Sequence, residues 1–359
     1  MRAMARRWFY WLTGSVFGAV MLVLGLQVLS GLDDFDLSAY EARSVSFRHQ
    51  DKQISGTLHL PGVQGAPVIL LVHGDGQQDR YSGGGYLPLI KVFLESGIAV
   101  YSWDKPGVGD SQGNWLDHSM SDRADLAKTA LLRLKTLPDL SLSSFGFLGF
   151  SQAGWVLPHL AQESEPTDFL VLVGGAVDWQ RQGQYYTRQR LAAKGVSAEA
   201  IKIELDRQAS QNEQYLGPEA AYADYIAAQD TTTPMPEDRF HFVKMNWRSN
   251  STETLKTAQK PMFIIHGSDD LNVDPNYNSQ TYRKILESQH PANRFEIIDN
   301  ATHGLLRSDL FNYQRPDQMP FWVEWAFLAL GREAFTPGAL DLIANWVHDQ
   351  SHSASVTAR

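Results

Sequence analysis

Apolar and polar positions alternate along this chain with two different periods. Residues 41–61, EARSVSFRHQDKQISGTLHLP, hold two short runs of period two on either side of a polar turn at His49–Gln53, which predicts a hairpin. Pro67–Val72 (PVILLV) is a continuous aliphatic run of the kind found in strands buried on both faces. Gly97–Trp103, the apolar run ending at Phe150, Phe169–Val173, Pro261–Ile265 and Arg294–Ile298 are further strand candidates. Between them, Tyr86–Ser96, Asp122–Leu137 and Asn276–Ser288 predict helices; Leu126, Ala130, Leu131 and Leu134 keep helical spacing. Strands alternating with helices at this rhythm imply a mostly parallel sheet covered on both faces.

The rhythm breaks after Gly175. Residues 179–256 lack strand patterning, carry helical stretches (Ser197 is a natural N-cap for 198–214) and are rich in aromatics, which predicts a helical cap over the sheet. Residues 318–350 close the domain as helix, and 351–359 are expected to form a loose tail. The expected organisation is an N-terminal segment at 1–32, a core at 41–178 and 257–350, and the cap at 179–256.

The first 32 residues have a character of their own. Arg2, Arg6 and Arg7 precede an uncharged apolar stretch from Trp8 to Leu29, and Asp33, Asp34 and Asp36 follow it. About 20 apolar residues span a bilayer as a helix, whereas a signal-peptide core is usually ~7–15. The charge asymmetry puts the N-terminus in the cytoplasm and the body on the periplasmic side of the inner membrane. A signal removed at Val28-Leu29-Ser30, giving a secreted protein, is the alternative.

Composition narrows the picture further. Hydrophobic residues at 43% and charged residues at 20% describe an ordinary globular interior. The net charge of −9 and the absence of a basic run set nucleic-acid partners aside. With no cysteine, disulfides, thiolate nucleophiles and Cys-ligated zinc are excluded.

The chemistry centres on residues 143–160, SSFGFLGFSQAGWVLPHL, where an apolar run stops at Ser151 and a helical segment begins at once. Strand, abrupt turn and helix make the setting in which a serine hydroxyl is lifted off a strand end toward a reacting carbon. A serine needs a base, and the base needs an acid to orient it. Asp270, just beyond PMFII, and His303, just beyond RFEII, follow in that order and at strand ends. Asp269, Asp274 and, more remotely, Asp178 are the other acid candidates. His118 and His241 are other histidines for the cleft. Backbone N–H groups of Gln152 and Asp75 are expected to form the oxyanion hole, with the Asp75 side chain turned away toward Arg80 and His73 and Gly74 shaping the loop. Gly109-Asp110-Ser111-Gln112-Gly113 also spells G-x-S-x-G, but Lys105-Pro106-Gly107 separate it from the preceding strand and no helix follows, so Ser111 is read as a loop-fixing residue. His73, His266 and His303 could in principle meet as metal ligands, but the serine, acid and base reading accounts for them better, and no metal or other cofactor is expected.

GFSQAGW, HGSDDLNV and NATHGL resemble the nucleophile, acid and histidine motifs of the α/β-hydrolase superfamily, and the resemblance spans about residues 41–350. LLVHGDGQQDR, YSWDKPGVGDSQG and GFSQAGWVLP are similar to bacterial membrane-associated or secreted serine esterases and prolyl-oligopeptidase-like hydrolases. The resemblance implies an α/β-hydrolase fold, cofactor-free chemistry with Ser151 as nucleophile, His303 as base and Asp270 as acid, and small esters as usual substrates. The motif departs from G-x-S-x-G in one place: Ala153 holds the fifth position and the glycine is displaced to Gly154. The cap aromatics suggest a substrate with an apolar part. A peptidase, amidase or thioesterase on the same residues and a non-catalytic membrane-tethered binding module are the competing readings.

Overall fold

The computed structural model describes residues 21–22, 25–138, 140–162, 164–228 and 234–357. Residues 1–20, and with them most of the expected Trp8–Leu29 span, lie outside the described residues. Among the described residues no helix is long and apolar enough to cross a membrane.

Helix α1 (residues 25–33) leads into a hairpin of β1 (Glu41–His49) and β2 (Lys52–Leu60), whose register pairs His49 with Lys52 around the turn. There follow β3 (Ala66–Val72), α2 (Leu87–Glu95), β4 (Ala99–Trp103), α3 (Met120–Lys135), β5 (Leu142–Phe150), the short α4 (Leu157–Leu160) and β6 (Phe169–Val173). Between β6 and β7 (Met262–Gly267) the described chain is helical: α5 (Trp179–Ala192), α6 (Ala198–Tyr215), α7 (Tyr222–Ala227), α8 (Glu237–Asn246) and α9 (Thr252–Leu255). Ser197 caps α6 through the Ala200 N–H. The chain ends with α10 (Pro275–Leu286), β8 (Arg294–Ile298), α11 (Ser308–Phe311), α12 (Phe321–Leu330) and α13 (Ala339–Thr357).

The eight strands form one sheet in the order β1-β2-β4-β3-β5-β6-β7-β8; the hairpin runs antiparallel and β3 to β8 are parallel. Both faces of the parallel part are covered, so its strands alternate between two apolar cores rather than between core and solvent. Val68, Leu70 and Val72 join α3, α4 and α10 on one side, while Ile69 and Leu71 join α2 and α13 on the other. Strand order reverses between β3 and β5, because the chain leaves β3 for β4 on one flank and returns past it to β5. Ligand crevices of open α/β sheets form at the carboxyl ends of the strands at such a reversal.

Two local expectations are corrected. The helix after Ser151 is not continuous: residues 151–155 form a 3₁₀ turn, and α4 is a single turn. Pro158 has no N–H to give the Gly154 carbonyl, which accepts the Ser251 hydroxyl at 2.7 Å instead. The tail is also more ordered than expected, since α13 runs to Thr357 and Ser351 is buried, its hydroxyl 2.8 Å from that of Ser144 on β5.

Candidate active site

Four loops at the carboxyl edge of the parallel strands converge. The β5 loop carries Ser151, the β3 loop His73–Gly76, the β7 loop Asp270 and the β8 loop His303. Ser151 adopts φ +53°, a left-handed conformation that a non-glycine residue holds only when its surroundings dictate it. That strain turns the chain sharply and leaves the side chain at the wall of a cavity of about 730 Å³, which His303, Gln152 and Asp75 also line. The β3 loop lies against the turn: a Cβ on Gly74 would sit 3.3 Å from Ser151 Cβ.

The displaced glycine of the motif now has a physical account. A Cβ at position 154 would lie 2.6 Å from the Ala176 carbonyl oxygen, so Gly154 sits where the turn touches the β6 loop. Ala153 is fully buried and fits because Gly149 opposite it has no side chain.

Asp270 is buried, and its two oxygens have separate tasks. Oδ1 accepts the backbone N–H groups of Asn272 (2.7 Å) and Val273 (2.8 Å), while Oδ2 lies 2.7 Å from His303 Nδ1. The His303 Nδ1–H therefore donates to the carboxylate, leaving Nε2 as the free ring nitrogen. Burial pushes the His303 imidazole down, but the charge of Asp270 and its hydrogen bond outweigh that and raise it above its ordinary 6.5. Gly174, at φ +61°, makes room for the ring, since a Cβ there would lie 2.9 Å from His303 Nδ1. Helix α5 braces the acid loop from outside: Tyr185 donates to the Asp270 carbonyl (2.8 Å), and Gln314, beyond α11, bridges the carbonyls of Leu271 and Tyr186 (both 2.9 Å).

The other acids have other work. Asp269 accepts the Ser308 hydroxyl, Asp274 caps α10 and Asp178 caps α5. Ser111 is buried in its loop, donating to the Asp104 carbonyl (2.8 Å) and accepting the Ser55 N–H (3.0 Å). His118 lies apart from the Ser151 cavity, and His241 is exposed on α8. His73 stacks on Tyr86 and donates Nε2–H to the Trp103 carbonyl (2.6 Å); burial, and secondarily the Lys105 charge, pull it down to about 3. His266 donates to the Gly175 carbonyl, and among the described residues no cluster of His, Asp or Glu is placed to hold a metal ion.

The Asp75 side chain does not go to Arg80. Arg80 is occupied by Asp104 (2.5 Å) and Asp110 (3.0 Å), and Asp75 instead takes a two-pronged ion pair from Arg239 on α8, at 2.6 and 2.8 Å. Burial would raise the Asp75 carboxyl, but the Arg239 hydrogen bonds and charge hold it below the usual range. Sequence reasoning missed three cations around this loop. Buried Lys105 donates to the carbonyls of Gly74 (2.6 Å) and Gly76 (2.7 Å), and Arg123 donates to the His73 carbonyl (2.5 Å) and the Gln152 side chain. Arg239 is the third. Lys105 stands in the DKPGVGD loop and carried a positional hint; Arg123 and Arg239 carried none.

Sheet order, strained turn and strand-end loops together define an α/β-hydrolase. A profile of the family described as "Serine aminopeptidase, S33" matches residues 65–309. The chain belongs to this family of serine hydrolases. The fold is similar to that of the esterase Pf2001 of Pyrococcus furiosus, at 16% identity and TM-score 0.53 over 83% of this chain and 93% of that one. It is also similar to a proline iminopeptidase of Mycobacterium smegmatis, at 14% identity and TM-score 0.53 over 88% and 100%. No curated protein matches the sequence significantly.

Proposed function

We propose that the chain hydrolyses carboxylic esters through an acyl-enzyme on Ser151. The observation that carries this reading is the 2.7 Å contact of His303 Nδ1 with Asp270, with the ring and Ser151 lining one cavity. His303 Nε2 takes the Ser151 proton as the hydroxyl attacks the ester carbon, and Asp270 stabilises the imidazolium. The backbone N–H groups of Gln152 and Asp75 receive the negative oxygen of the tetrahedral intermediate, each worth roughly 3 kcal/mol. The imidazolium protonates the departing alcohol, and a water activated by His303 releases the acid.

Trp155, Trp179, Phe150 and Phe327 give the cavity apolar walls, which supports a substrate with an apolar acyl or alcohol part. Esters are favoured over free amino-terminal peptides by one feature. Asp75 is the single acidic lining residue among those described, and Arg239 already neutralises it, so a substrate ammonium meets no open carboxylate. The Trp8–Leu29 stretch supports a single-pass inner-membrane anchor with the body on the periplasmic side, secretion after cleavage being the alternative.

A fluorophosphonate probe tests the core of the reading. Labelling is expected for the intact chain and lost in Ser151→Ala. Folded protein that fails to label, or labelling that survives the substitution, overturns it in favour of a binding module or another nucleophile.

A further inference from the structure

Large exposed apolar side chains are concentrated in one region. Among the described residues, exposed Phe and Trp occur on α12 alone: Phe321 (75%), Trp322 (49%) and Trp325 (67%). This helix, FWVEWAFLAL, is apolar all round apart from Glu324. Helices of that kind belong inside a protein core or in lipid, yet only one side of α12 has protein to pack on. Val323 is buried there, and Phe327 meets Phe35 and Phe311 edge-on at 5.6 and 6.1 Å.

The neighbour of α12 is the end of the apolar N-terminal segment. Leu22, Leu26, Leu29 and Leu32 are exposed. Gly31 approaches the Ala329 carbonyl so closely that a Cβ would overlap it. The next residues are bolted to the body: Asp33 pairs with Lys91 (2.8 Å), Asp34 with Arg332 (2.6 Å), and Arg332 in turn with Glu95 (2.5 Å). The chain thus leaves the body through a fixed junction rather than a free linker. Trp325 stands one helical turn, about 6 Å, from that junction.

We propose that α12 is a second membrane-contact element, its Phe321, Trp322 and Trp325 lying in the headgroup layer of a phospholipid bilayer. The proposal rests on the reading of Trp8–Leu29 as an anchor: a rigid junction beside an anchor holds neighbouring aromatics at the interface, where Trp is the residue type enriched. The alternative occupant, a second copy of the chain, has no comparable support. The inward side of the helix adds a consequence, because Phe327 is also part of the Ser151 cavity wall. Lipid and cavity are then separated by one helix, about 10 Å across.

The absence of cysteine makes the test direct. The full chain carrying Trp325→Cys is labelled with an environment-sensitive nitrobenzoxadiazole dye and reconstituted into phosphatidylcholine–phosphatidylglycerol vesicles. Ile203→Cys on α6, exposed and remote in sequence, is the reference, and Phe321→Cys repeats the measurement at the other end of the exposed face. The dye at 325 and 321 is expected to shift to the blue and to be quenched several-fold more by nitroxide lipid than by aqueous iodide, with the reverse at 203. Co-flotation with vesicles while all three positions stay open to iodide overturns the proposal and leaves the anchor standing. Failure to co-float overturns both. Protection at 325 that grows with protein concentration in detergent, without lipid, assigns the face to a second copy and also overturns it.

Discussion

Replacing Asp270 by Asn removes one charge and almost no volume, and the surroundings of the carboxylate dictate the effect on the histidine. Oδ1 receives two backbone N–H donors, from Asn272 and Val273. An amide at this position must turn its oxygen toward that pair, which presents its NH₂ to His303. The Nδ1 atom must then accept rather than donate, so the proton moves to Nε2, the atom that takes the Ser151 proton in the proposed mechanism. Reversing the amide would restore the ring tautomer but leave two backbone donors facing an NH₂ group. Each lost acceptor costs ~1–3 kcal/mol, so the productive orientation lies ~2–6 kcal/mol higher. By transition-state arithmetic, kcat/KM for a water-soluble nitrophenyl ester should fall roughly 30- to 20,000-fold, mostly in kcat. Thermal unfolding should move little, and nitrogen-15 spectra of the imidazole should show the proton on Nε2. A variant that keeps activity within threefold of the parent, with that tautomer established, would refute the assignment of His303 as base.

Three further outcomes are expected from the same structure. Because His303 is raised above 6.5 and must be neutral to serve as the proposed base, the rate should climb with pH through a midpoint above 6.5 and level off on the alkaline side; a profile flat from pH 5 to 8 contradicts this. Stability runs the other way for this group: its contribution is fully present below 6.5 and is lost as pH rises through the raised folded-state value, which urea titrations at several pH values would detect. Ser111→Ala should spare kcat while lowering stability by about 1–3 kcal/mol, since the Ser55 N–H and Asp104 carbonyl lose a buried partner; loss of turnover in a folded variant would reassign the nucleophile.

Much of the parallel sheet was legible because its strands obey a local rule. FLVLV begins and ends where its apolar run does, and a run buried on both faces has no competing period. The order of Ser151, Asp270 and His303 was legible for a related reason: each follows a strand, and strand ends face one edge. What escaped was set by contacts between distant segments. Nothing near Pro158 announces that Ser251 will take over a helical carbonyl, and nothing near Asp75 announces Arg239, 164 residues away. Arg80 looked like the partner because it was close in sequence, but its fork fits the Asp104 carboxylate, which is buried and also takes its backbone N–H. The tail was misjudged because the buried Ser144–Ser351 contact joins residues that look solvent-bound when read alone.

The clasp between Arg239 and Asp75 sets a condition on redesign. Replacing α8 by a foreign segment, the obvious route to new selectivity, would strip the Asp75 carboxylate in the Ser151 cavity of its Arg239 counter-charge. A successful chimera must bring a cation to the same spot or give up the acid in exchange for a neutral residue.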